Sequence, residues 1–350
     1  MASLKKGFGF ALVAMALLTL ASAASAQPKH LEPGSALIFP LYDSTPGSGT
    51  VICVTNTNDS NEYCPDSDYR KGDIVVHYVY IDGDSCFEFD RFEYFTPGDT
   101  LCVLADDHNP EQDKGFLLVA AVDPEDYDRY VKFDYLIGSA ITVQSELNFL
   151  WAYTPYPFLG RPDLVERSDP ACERAGTDES GDDDGAVDFD GFEYSKFPER
   201  LFLSSFFEER EAFANQLVLL STTGQDYIAE INFLFWNNIE DKFSRTFKFT
   251  CWWAGPLSEI SAVVKDLNGD EEELGHGAVE TGWASINPNR VLDLAGNPVM
   301  AVSGDNLVPP ILGVYAHFIT GSDFAAGHAL HYTGTLDGLE ILNGDGDLNQ

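Results

Sequence analysis

Ile74-Val75-Val76-His77-Tyr78-Val79-Tyr80-Ile81 carries a β-branched or aromatic residue at nearly every position and reads as a β-strand. Asp82-Gly83-Asp84 then punctuates the chain, and an aromatic run through Phe87, Phe89, Phe92 and Tyr94 follows, with Asp90-Arg91-Phe92 inside it. A second stretch, Ile228–Asn238, has the same character and is followed by Ser244-Arg245-Thr246 inside another aromatic run. The step from strand start to tripeptide is sixteen residues in both places (74 to 90, 228 to 244). Upstream, Val51–Val54 leads into the turn cluster Thr55-Asn56-Thr57-Asn58, as Leu217–Leu220 leads into Ser221-Thr222-Thr223-Gly224. Downstream, Gly115–Val122 parallels Gly282-Trp283, and Tyr135–Ser139 parallels Phe318–Ser322. One order of elements runs twice, which predicts an internal duplication of an all-β unit. Short strands separated by frequent turns point to β-sandwiches.

Thr96-Pro97-Gly98-Asp99-Thr100, followed by Leu101–Leu104, resembles the strand–turn–strand element of bacterial secreted immunoglobulin-like β-sandwich repeat proteins. Asn56 and Asn58 resemble the loop that those repeats place after their first strand. The resemblance covers about 50 residues of the first half; in the second, Ala254-Gly255-Pro256-Leu257 stands in the equivalent place with Gly and Pro reversed. It implies two tandem immunoglobulin-like sandwiches, the first over 27–160 and the second over 197–340. An acidic linker or loop at 161–196 joins them, and an acidic tail follows at 341–350. Such folds host many activities, so the resemblance speaks to architecture rather than function.

Residues 1–26 read as a secretory signal: Lys5 and Lys6, an apolar core over Phe8–Leu20, and Ala24-Ser25-Ala26 as the cleavage site. The expected destination is secreted or cell-surface, with the periplasm as the other exported compartment. No later stretch is long and apolar enough for a spanning helix, and long loops on both sides of the strands fit poorly with an outer-membrane barrel, so no membrane insertion is expected. The chain carries a net charge of −37, which repels phosphate backbones and excludes nucleic acid as a partner. Its 44% hydrophobic content separates it from disordered acidic chains.

Six cysteines in an exported chain predict disulfides. Cys53, Cys64 and Cys102 fall near one end of the first sandwich and Cys86 near the other, so a bridge is expected among the first three. Cys172 and Cys251 are positioned to tie the acidic segment to the second domain.

Three acidic clusters place oxygen ligands at every second residue, the spacing used by Ca²⁺ loops. They are Asp266, Asn268 and Asp270 with Glu272; Asn343, Asp345 and Asp347; and Asp182 and Asp184 with Asp188 and Asp190. None matches the EF-hand. His328 and His331 are the close histidine pair, and on one strand they would point to opposite faces. Trp252 and Trp253, being adjacent, must also face opposite ways, so one belongs to a core and the other to a contact surface. No Gly-x-Ser-x-Gly, His-Glu-x-x-His or phosphate-binding loop is present. The expected function is therefore non-catalytic: an exported structural or interaction protein, Ca²⁺-stabilised, that binds protein or glycan. A carbohydrate-active enzyme using paired carboxylates is the alternative. The sequence leaves the oligomeric state open.

Overall fold

A computed structural model describes residues 32–334 apart from 65–67, 145–148, 162–164, 167–186, 190, 192, 210–212, 268–279, 301–303, 305 and 320–324. The signal-like segment and the C-terminal tail lie outside the described residues. The protein is all-β. Its first half contains β1 (Ala36–Asp43), β2 (Ser48–Asn56), β3 (Ile74–Asp82), β4 (Glu88–Phe95) and β5 (Thr100–Leu104). A single helical turn α1 (Ala105–His108) follows, then β6 (Lys114–Asp123), β7 (Asp126–Lys132), β8 (Leu136–Gln144), β9 (Phe149–Tyr153), β10 (Tyr156–Phe158) and β11 (Val165–Glu166). The second half contains β12 (Arg200–Phe207), β13 (Phe213–Ser221), β14 (Tyr227–Asn237), β15 (Lys242–Phe249) and β16 (Trp252–Gly255). A helical turn α2 (Leu257–Ile260) precedes β17 (Thr281–Asp293), β18 (Ile311–Ile319), β19 (Ala325–Ala329) and β20 (His331–Thr333).

Four sheets result. The first half forms one sheet in the order β10-β1-β6-β3-β4, with β7 and β11 appended, and another in the order β5-β2-β8-β9. The second half forms β20-β12-β17-β14-β15 and β16-β13-β18-β19. Setting β1 against β12 and counting onward, with β7 and β11 left over, makes the two pairs of orders identical. Gly115 and Gly282 open β6 and β17 at matching places, and each is forced by close approach. A Cβ would lie 1.8 Å from the Ile81 carbonyl at the first and 2.5 Å from the Trp236 carbonyl at the second. The Gly138-Ser139 and Gly321-Ser322 markers do not correspond: β8 is matched by β18, which ends at Ile319, and Gly321 and Ser322 lie outside the described residues.

The described residues from Pro33 onward belong to one compact unit. The sheet count is that of a four-bladed, propeller-like arrangement, and the whole is not evidently a pair of separate immunoglobulin-like sandwiches. Each sheet draws on strands distant in sequence, whereas a propeller blade winds consecutive ones. The reason for the merger lies in β1, β3 and β6, whose residues are almost all buried on both faces. One face, with Leu37 and Phe39, meets the β5-β2-β8-β9 sheet, where Gly138 lies against both side chains. The opposite face meets the second half: Tyr156 donates its hydroxyl to the carbonyls of Gly313 (2.7 Å) and Leu330 (3.0 Å). β13 is shared accordingly. Leu217 and Leu219 enter the second half's core, while Val218 and Leu220 join the core of the first.

Strand irregularities have local causes. Pro40 lacks an N–H, and the register of β1 against β6 shifts between Phe39 and Tyr42. Pro288 marks a similar shift of β17 against β14. The end of the expected acidic linker also packs: Phe189 and Tyr194 are buried, and Phe189 sits 4.5 Å from Phe158. Val187 and Phe189 alternate there with Asp188 and Asp190, and with Tyr194 and Phe197 they join the first core.

Two disulfides are described. Cys53–Cys102 joins adjacent strands β2 and β5, a bridge among the expected three cysteines. Cys251 is bonded to Cys86 rather than to Cys172, so this bridge ties the two halves together. The expectation failed because it assumed that the halves touch only through the linker. Cys64 is also in a disulfide, and Cys172 lies outside the described residues.

Candidate ligand-binding face

The hairpins β3–β4 and β14–β15 occupy equivalent places in the two halves and carry different surfaces. Their registers set Val75, His77, Val79 and Ile81 where the second half has Glu230, Asn232, Leu234 and Trp236. On the neighbouring strand, Leu118 and Ala120 stand where Ser285 and Asn287 stand in the second half. The first set lies on a face that other strands cover and is mostly apolar. The second alternates with core residues Ile231, Phe233 and Phe235, and its face is open to solvent.

That open face is an ordered lattice. Trp236 of β14 and Trp283 of β17 are directly paired, with ring centroids 3.9 Å apart and planes within 2° of parallel. Lys242 of β15 lies beyond Trp236, its Nζ 5.3 Å from the ring centroid. Trp283 is 39% exposed, and its other side looks toward β12, where the register breaks between Leu203 and Phe206. The two residues in that bulge, Ser204 and Ser205, are small and exposed, so they leave one side of the indole clear. Further along, Thr246 donates to Asn232 Oδ1 at 2.9 Å, and Asn287 donates to the Asn232 carbonyl at 3.3 Å. The far end is anchored by Glu230, which accepts from Asn289 (2.6 Å) and Arg290 (2.7 Å) and pairs with Lys248 (3.0 Å). Burial pushes the Glu230 carboxyl up, but these donors outweigh it and hold the group below the usual carboxylate range. Glu230 is a fixed anion, not a proton donor.

The tryptophans singled out from sequence stand elsewhere. Trp252 is buried against the first half, its indole N–H donating to the Pro40 carbonyl at 2.9 Å and its ring lying on Gly83. It is the contact-surface member of the pair, but the surface it contacts belongs to the same chain and leaves its ring no open face. Trp253 packs on Phe247 at 4.8 Å beside the second core. The pair that is exposed, Trp236 and Trp283, had one legible signal. Trp236 follows Glu230 and Asn232 on the polar side of an alternating strand, an unusual place for an indole.

Asp266 ends a short 3₁₀ turn at Ala262–Lys265 and is exposed. Asn268, Asp270, Glu272, Asn343, Asp345 and Asp347 lie outside the described residues, as do Asp182, Asp184 and Asp190. Among the described residues no group of three or more His, Cys, Asp or Glu is placed to hold a metal.

His328 and His331 do not point apart as one strand would require. The chain leaves one sheet after Ala329 and enters another at His331, which brings the rings to 5.9 Å. His317 joins them, 6.2 Å from His328, beside Tyr315 and Phe207. Its Nδ1 is buried without a hydrogen-bond partner among the described residues. Burial, and then the neighbouring His328, hold His317 below the ordinary histidine value. His108 is lowered too: burial outweighs Glu93 at 3.3 Å, and Arg91 adds to the lowering. In both cases the unfolded chain binds protons more readily than the folded one. Their contribution to stability is therefore fully present above about pH 6.5 and declines as pH falls through that value. Denaturant titrations at stepped pH should show a shallower acid-side loss for His317→Gln and His108→Gln than for the parent. Parallel profiles would refute the assignment.

The first half has its own polar chain, with His77 Nδ1 2.9 Å from the Tyr130 hydroxyl and Nε2 3.1 Å from Asp90 Oδ1. Both ring nitrogens are engaged and Phe92 stacks on the ring at 4.1 Å, which makes it a packed element of the face.

No protein family matches this chain, and no curated protein matches it. Among solved structures it is similar to the crystal structure of Thermotoga maritima 1070, at 13% identity and a TM-score of 0.27. The alignment covers 36% of this chain and 95% of that one. A likeness of this size carries no weight for fold or function.

Proposed function

We propose that this is an exported, non-catalytic binding protein of the cell exterior whose second half takes a glycan on its open sheet face. In this reading the halves are tandem sandwiches of immunoglobulin-like character, supported by their matching strand orders. The observation that carries the binding role is the stacked Trp236–Trp283 pair, with one side of Trp283 clear above Ser204 and Ser205. An exposed indole beside hydroxyl and amide side chains suits the mixed apolar and hydroxylated surface of a sugar ring. Nucleobases offer a similar flat surface, but the net charge of −37 opposes their phosphates. Export is supported by the signal-like first 26 residues and by disulfides, which persist in oxidising compartments. Ca²⁺ enters only through the spacing of Asp266, Asn268, Asp270 and Glu272.

A glycan array followed by calorimetry, with and without Ca²⁺, tests this reading. Trp283→Ala should weaken binding about 30-fold, the loss of about 2 kcal/mol expected for a central aromatic contact. Undiminished affinity would remove the face from consideration. Asp266→Ala/Asp270→Ala should abolish any Ca²⁺ heat. Release of reducing ends during the titration would assign the carbohydrate-active enzyme instead.

A further inference from the structure

The sheet β5-β2-β8-β9 turns one face to the core, through Ile52, Val54, Ala140 and Trp151. Its other face is exposed and apolar. Leu104 is paired with Val51, and Val51 with Ile141; Val143 is paired with Leu150; Ile137 lies on the same side. Leu104, Ile137, Ile141, Val143 and Leu150 are each between 37% and 59% exposed. Every described outward position on these four strands is uncharged, in a chain with 57 acidic residues. The open face of the second half, by contrast, carries Glu230, Lys242, Lys248 and Arg290.

From this we infer that two copies of the chain associate through these faces, sheet on sheet about a two-fold axis. Charge selects the occupant. Two copies at −37 each repel, and the approach of least repulsion brings together the surfaces that lack carboxylates. A two-fold axis makes one flat apolar patch its own complement. The chain already buries apolar sheet faces this way, covering the Tyr156 side of β1 and β10 with Val218, Leu220, Leu312 and Val314. Area is also sufficient. With strands about 4.8 Å apart and outward residues about 6.8 Å apart, the face tiles about 400 Å² of plane per copy. Accessible area exceeds projected area, so pairing buries on the order of 1,000 Å² in total, the lower bound for a specific interface. An interface at that lower bound suits a weak dimer, and screening the mutual repulsion with salt strengthens it.

Sedimentation equilibrium of the full chain from about 1 to about 100 µM tests the inference. The expected result is a monomer–dimer equilibrium that tightens between about 0.05 and about 0.5 M NaCl. Ile141→Glu/Val143→Glu should weaken it at least about 100-fold by placing like charges across the axis. Leu150→Glu, at the most exposed position, provides the same test with minimal risk to folding, and Trp283→Ala should leave the dimer intact. A parent chain that stays monomeric throughout overturns the inference. So do outward-face variants that dimerise as the parent does, or a dimer that dissociates as salt rises.

Discussion

Replacing Trp252 by Ala should lower the unfolding free energy by about 3–5 kcal/mol. Trp252 is 9% exposed, and its removal opens a cavity where the two halves meet. It also strands the Pro40 carbonyl, whose indole partner lies at 2.9 Å. Gly83 cannot move in to fill the gap, since it has no side chain and its backbone is fixed by a hydrogen bond to the Lys114 carbonyl. Trp252→Phe separates the contributions, because it keeps most of the ring and loses the hydrogen bond; it should cost about 1 kcal/mol plus a smaller packing deficit. Trp253→Ala is the internal control. It touches the second core from its rim and should be milder. Equilibrium denaturation measures all three, and a Trp252→Ala loss below that of Trp253→Ala would refute the importance of this contact.

The second large effect belongs to the Cys86–Cys251 bond. It closes a loop of 165 residues, for which the chain-entropy relation gives about 5 kcal/mol. Cys64 is also bridged, and further cross-links restrict the same unfolded chain, so about 3–4 kcal/mol is expected for Cys86→Ser/Cys251→Ser. Non-reducing peptide mapping checks the connectivity, and denaturation of the double variant checks the magnitude. Unchanged stability would mean that contacts alone fix the halves together.

The hairpins were legible because their information is local. Ile74–Asp82 and Ile228–Asn238 declare themselves by residue type, although the equal sixteen-residue step hides a one-residue difference: six residues separate the paired Ile81 and Glu88, and five separate Trp236 and Lys242. Gly115 and Gly282 were legible for the same reason, each marking a strand start where backbone crowds backbone. What could not be read is long-range. Trp236 and Trp283 meet because β14 and β17 are neighbours, although β15, β16 and α2 intervene in sequence. Cys86 finds Cys251 only because the sheets of the two halves stack. The histidines at 328 and 331 converge because the chain changes sheets between them, an event that a period-two pattern does not encode. The near-continuous burial of β3 was the one available hint of stacking. A strand without a polar side is a strand covered twice.

That double coverage sets how far each half tolerates substitution. The first copy is sealed between its own companion layer and its sibling, so nearly every substitution in its central strands disturbs packing. The second copy keeps one side in water and is free to vary there without penalty to the rest. Of the two central sheets, the first therefore serves as a foundation, and the second keeps a face where side chains can change without repacking a core.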